Sequence, residues 1–225
     1  MYRKALQEIA NLKKDPILQE DYFANQPYKS FIVANKFRQI LLITDPFCFE
    51  WIENTLEYHS TLLKRRKQPT VISTSDGVYV FGGLANKTTS DFLPNGGKKW
   101  QDGPPIPEPG HWNGDGVELE NTESEKELIL IGSYDENNET SKIVLKYNFE
   151  TKEWTELGKL LSQRKGRISV TYSMKTIYVT DKEPETDENS GGNEETVEVI
   201  SLSNGFSSKI ISKVDFLKTN NKGMI

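Results

Sequence analysis

The sequence predicts an α + all-β chain: a short helical segment followed by four-stranded antiparallel sheets of the kind that make propeller blades. Three observations carry this. Apolar residues recur at helical spacing up to about residue 66. From residue 70 they sit in short runs bounded by turn residues, the mark of strands. Those runs then return about every 50 residues, the repeat length of a four-stranded blade. The division expected is helical over 1–66, a linker over 67–76, and sheets over 77–225.

In "DPFCFEWIENTLEYHSTLL" (45–63), Asp45 is suited to an N-cap and Pro46 to the first helical position, where its missing N–H costs nothing. Phe47, Cys48, Trp51, Ile52, Thr55 and Leu56 then recur on one helical face. "KSFIVANKFRQILLI" (29–43) gives a second helix, burying Phe31, Phe37, Ile40 and Leu41. "YRKALQEIANLKK" (2–14) gives a weaker third. Helices this short need a partner to cover their apolar faces.

The strand region starts with "GVYVFGG" (77–83), followed in phase by "ELILIGS" (127–133) and "KTIYVTD" (175–181). Trp100 follows the first run and Trp154 the second, each after a charged turn. "KIVLKY" (142–147) has its counterpart in "TVEVISL" (196–202), and "RISVTYS" (167–173) in "GVELE" (116–120). In "YNFETKEW", Tyr147 ends one strand and Trp154 begins the next, so the intervening turn closes a hairpin. Gly82 and Gly83 permit positive φ or close backbone approach.

These landmarks resemble a kelch repeat: an apolar strand ending in Gly-Gly, then Tyr, a short turn, and Trp. "VYVFGG" with Trp100, and "ILIGS" (through Gly132) with Tyr147 and Trp154, carry the likeness. Gly82, Gly83, Trp100, Gly132, Tyr147 and Trp154 are therefore expected to be architectural. Ser133 replaces the second glycine of the second unit, and Val179-Thr180 replace both in the third. The segment ending in "EYHSTLLKRRKQP", with Cys48, Trp51, Ile52, His59, Arg65 and Arg66, resembles the end of a BACK domain. In BTB–BACK–kelch proteins that domain leads into the propeller. The resemblance implies an incomplete propeller of about two to three blades and the substrate-recognition part of a cullin–RING ubiquitin-ligase adaptor. It implies a cullin partner only where a BTB domain is supplied.

Composition narrows the classes. The net charge of -5 disfavours a nucleic-acid partner. "KRRK" (64–67) reads as a solvated junction. No apolar run is long enough for a membrane span, and the charged start has no signal-peptide core, so a cytoplasmic protein is expected. One cysteine, Cys48, excludes an internal disulfide and reads as a small buried hydrophobe.

No catalytic constellation, metal site or cofactor is expected. The two histidines, His59 and His111, stand outside any recognisable triad. His59 reads as capping or packing. The acidic stretch "DKEPETDENSGGNEE" (181–195) lacks the ligand order of a calcium loop. It reads as a loop that would favour a basic partner. Contacts to a protein substrate are expected from the loops at that end of the sheets. Tyr134, Trp112, Arg164 and His111 are the candidates, each weighed against simple packing; Tyr, Trp and Arg are enriched in binding hot spots. Arg164 has the alternative of bracing its loop. The competing functions are a kelch scaffold binding cytoskeletal or other proteins without ligase linkage, and a propeller enzyme.

Overall fold

The computed structural model describes residues 31–34, 39–53, 55–111, 113–120, 126–132, 134, 140–164, 167–182, 196–203 and 205–212. These form sixteen strands in four antiparallel sheets, and no helix occurs among them. Every sheet is a meander whose strands lie side by side in chain order. The chain divides into two compact units, Met1–Ile106 and Pro107–Ile225, each holding two sheets.

The expected helices over 29–43 and 45–63 are overturned. The described residues of these stretches build the first sheet, with β1 (Phe31–Ala34), β2 (Ile40–Thr44), β3 (Phe47–Ile52) and β4 (Thr55–Thr61). The reason is that the residues satisfy both periods. Phe47, Phe49 and Trp51 alternate as a strand requires, and aromatic residues suit a pleated surface. Asp45-Pro46, taken as a helix start, is the two-residue turn between β2 and β3, with Thr44 paired to Phe47 and the Asp45–Pro46 peptide cis. Glu53, at φ 46°, lies between β3 and β4. The helix expected over 2–14 lies outside the described residues.

The second sheet holds β5 (Thr70–Ser73), β6 (Gly77–Phe81), β7 (Ser90–Pro94) and β8 (Gln101–Asp102). Thus β5 lies within the stretch expected to be linker. The core of this unit joins Leu41, Ile43 and Cys48 of the first sheet to Val78, Val80 and Leu93 of the second, with Leu62 and Trp100. Each such buried side chain contributes roughly 1.5–3 kcal/mol. β6 is buried along its whole length, so alternation of apolar and polar residues is absent there.

The other unit repeats the plan. Its sheets are β9 (Asp115–Glu120), β10 (Lys126–Ile131), β11 (Ile143–Asn148) and β12 (Glu153–Lys159), then β13 (Arg167–Ser173), β14 (Thr176–Lys182), β15 (Thr196–Ser201) and β16 (Ser207–Ser212). Ile129, Ile131 and Val144 meet Ile168, Ile177, Val179 and Ile200 in one core. Tyr147 and Trp154 face each other across the β11–β12 hairpin, their rings 4.9 Å apart. In both units the connections from sheet to sheet, and from second to third strand, leave by one end of the strands. The remaining turns leave by the other.

Braced loop ends as a candidate interaction surface

In the unit Met1–Ile106, the connection from β4 to β5 carries Arg66, whose side chain is fully buried. Its Nη1 donates to the carbonyls of Gly82 and Thr89, both at 2.8 Å. Its Nη2 donates to Asp91 Oδ1 at 2.6 Å and Thr89 Oγ1 at 3.1 Å. The other Asp91 oxygen accepts the backbone N–H of Leu63 at 3.0 Å, and Asp45 Oδ1 accepts that of Arg66 at 2.8 Å. One arginine therefore ties the β4–β5 connection to the β6–β7 loop and to β7. The double glycine serves this contact. Gly82 and Gly83 have φ of 63° and 105°, and a Cβ on Gly83 would lie 3.1 Å from the Arg66 backbone. The solvated reading of "KRRK" fails for Arg66, because a guanidinium this enclosed needs charge and hydrogen-bond partners.

The second unit has the same construction at the β12–β13 connection. Arg164, 2% exposed, donates from Nη1 to Thr196 Oγ1 at 3.0 Å and from Nη2 to Glu198 Oε2 at 3.4 Å. Glu198 Oε1 accepts the N–H of Leu161 at 2.7 Å. Leu62 and Leu160 correspond as well. Both are core residues, and their N–H groups donate to Pro46 and Lys142 carbonyls, each at 2.8 Å. The following leucines, Leu63 and Leu161, project into solvent at 48% and 53% exposure. A Leu-Leu-x-x-Arg-Lys sequence, at 62–67 and 160–165, marks both sites in the sequence, about two repeat lengths apart.

Among the contact candidates, Arg164 thus braces its loop from a buried position. His111 is also buried, and enclosure pushes its pKa down to about 4, so the ring is neutral at pH 7. Gly114 must lack a side chain beside it, since a Cβ would fall 2.5 Å from His111 Nε2 and from the Ile131 carbonyl. Tyr134 is half-buried and bridges to Thr140. Trp112 and the acidic stretch 183–195 lie outside the described residues.

The architectural residues differ among themselves. Trp100 packs between two sheets and donates from Nε1 to Ser60 Oγ at 3.0 Å. Trp154 is half-buried against Tyr147, on the sheet face opposite the Ile129 core. The two tryptophans therefore differ in their surroundings. Gly132, at φ 72°, approaches the Ile168 side chain.

Three further places hold reactive residue types. Ser60 Oγ lies 2.7 Å from His59 Nδ1, and His59 Nε2 lies 3.9 Å from Glu50. That order imitates a hydrolytic triad, yet Ser60 is buried and already accepts the Trp100 N–H. Cys48 is enclosed in the first core, and burial pushes its thiol up to about 12, so it stays protonated. Asp115 binds the N–H of Val170 in the neighbouring sheet at 2.8 Å. Burial raises its pKa to about 6 against the opposing pull of the Val170 and Gly116 hydrogen bonds. No cluster of metal-ligating side chains occurs among the described residues, and no helix long and apolar enough to cross a membrane occurs among them.

No protein-family model and no curated protein matches the chain. Among solved structures it is similar to that of YjhT, with a TM-score of 0.62 at 11% identity. The match covers 84% of this chain and 66% of that one. At this identity the likeness concerns the fold alone. The four antiparallel sheets and this likeness are compatible with a propeller-like fold.

Proposed function

We propose that the chain is a protein-interaction module whose sheets are kelch-type propeller blades and whose braced loop ends bind a protein partner. The recurrence of one construction in both units carries this reading. In each, a buried arginine–carboxylate pair fixes a connection that holds an exposed leucine outward. Fixing a loop before binding removes part of the ordering cost of association, and rigid strands holding such loops favour recognition. The scaffold reading is preferred to the ubiquitin-ligase adaptor, because the residues behind the BACK resemblance are strands β3 and β4 and the Arg66 brace. A basic partner segment is proposed for the acidic stretch 181–195, and a cytoplasmic, reducing setting for the lone thiol of Cys48.

The test is affinity capture from a cell extract with the natural chain and with Leu63→Glu/Leu161→Glu. Each protein lost from the variant is then rebound in purified form. Both leucines are exposed, so the variant should fold with stability changed by about 0.5 kcal/mol or less. The reading expects a purified partner whose binding weakens at least about tenfold, or 1.4 kcal/mol. Partners bound equally by both chains would overturn it. Direct capture of a cullin would favour the adaptor instead.

A further inference from the structure

We infer that the unit Pro107–Ile225 carries a second binding site, for a carboxylate bearing one leucine-sized apolar group. It is a cleft of about 180 Å³ at the end of the strands opposite the Arg164 brace. Leu119 and Leu157 of the β9–β12 sheet form one wall; Tyr172 and Leu202, from β13 and the β15–β16 loop, form the other. All four sit at the margin of the Ile129–Ile200 core, so the cleft is the place where the two sheets diverge before their turns.

Charge is placed at its rim. Lys146 Nζ lies 2.6 Å from Glu127 Oε1, so these two largely neutralise each other. Lys175, exposed on the β13–β14 turn, also lines the cleft. Two lysines against one glutamate leave a net positive rim above an apolar floor. That combination selects an anion with an apolar tail rather than a cation or a neutral polar solute.

Size limits the ligand further. A cavity of about 150 Å³ lined by apolar residues accepts benzene, whereas cofactor and drug-sized sites begin near about 300 Å³. The cleft therefore suits one branched aliphatic side chain. A peptide C-terminus ending in leucine and a free branched carboxylic acid share this chemistry. The site does not depend on the braced ends, so its failure would leave the proposed function standing.

The experiment uses the full chain with isotope-labelled leucine methyls. It is titrated separately with 4-methylpentanoate, with a short peptide ending in leucine carboxylate, and with the same peptide as its amide. The expected result is saturable shifts of the Leu119, Leu157 and Leu202 methyls with at least one carboxylate probe. The acid alone would indicate a metabolite, and the peptide a protein terminus. The amide and the variant Lys175→Asn should bind about fivefold more weakly, as loss of one partly exposed ion pair implies. Asparagine tolerates the positive φ of 60° at that position, so the turn is kept. Absence of saturable shifts with both carboxylates, or equal binding of acid and amide, would overturn the site.

Discussion

Replacing Asp91 with alanine tests the brace where it is most enclosed. Arg66 and Asp91 are both 0% exposed in their side chains and 2.6 Å apart. Removing the carboxylate leaves a buried guanidinium without its counter-charge and the Leu63 N–H without its acceptor. Breaking a buried pair from one side costs about 3–5 kcal/mol, a large part of the roughly 5–15 kcal/mol that holds a domain folded. The pair Arg66→Met/Asp91→Leu removes both charges but takes Arg66 from the Gly82 carbonyl and Asp91 from the Leu63 N–H, while the Thr89 carbonyl keeps the Gly82 N–H at 2.9 Å. It should therefore be destabilised, though less than Asp91→Ala alone. Glu198→Ala should cost less than Asp91→Ala, because its arginine lies at 3.4 Å where Arg66 lies 2.6 Å from Asp91. Urea unfolding followed by tryptophan fluorescence and circular dichroism measures all three. The reasoning is refuted if Asp91→Ala shifts stability by less than about 1 kcal/mol, or if Glu198→Ala proves the costlier change.

Three other outcomes follow from the same structure. Asp115 has a folded pKa raised to about 6 from 3.8, so its contribution is fully present below the unfolded value and is lost as pH rises through about 6. Relative to Asp115→Asn, the natural chain should lose up to about 3 kcal/mol between pH 4 and pH 7, measured by denaturant unfolding across that range. Gly114→Ala should destabilise by about 1–3 kcal/mol through overpacking against His111 and the rigid Ile131 carbonyl, read by thermal unfolding. Cys48 should resist a thiol reagent at neutral pH in the folded chain and react promptly in urea, since it is buried and protonated.

The sequence disclosed the strands that carry unambiguous patterns. "GVYVFGG", "KIVLKY" and the Tyr147–Trp154 hairpin have turn residues at both ends and no competing helical period. The first sheet was hidden because Phe47, Trp51 and Ile52 fit a helical face as well as a strand, and because Asp-Pro opens helices as readily as it turns hairpins. Tertiary pairing decides such cases, and local spacing does not register it. Arg66 was missed for a related reason. A basic run looks solvated until the acid that neutralises it is known, and Asp91 lies on another strand of the next sheet. The one local signal was the recurrence of Leu-Leu-x-x-Arg-Lys at 62–67 and 160–165. Arg164 was singled out with two possible roles, and the side chain is enclosed with Glu198 and Thr196.

Amide hydrogen exchange at Leu63 and Leu161 bears most directly on the braced ends. Their side chains are open to solvent while their N–H groups are held by Asp91 and Glu198. Both amides should exchange as slowly as those of the neighbouring strands β7 and β15, and protection should vanish in Asp91→Ala and Glu198→Ala respectively. Exchange at the rate of a free loop amide in the natural chain would contradict the account.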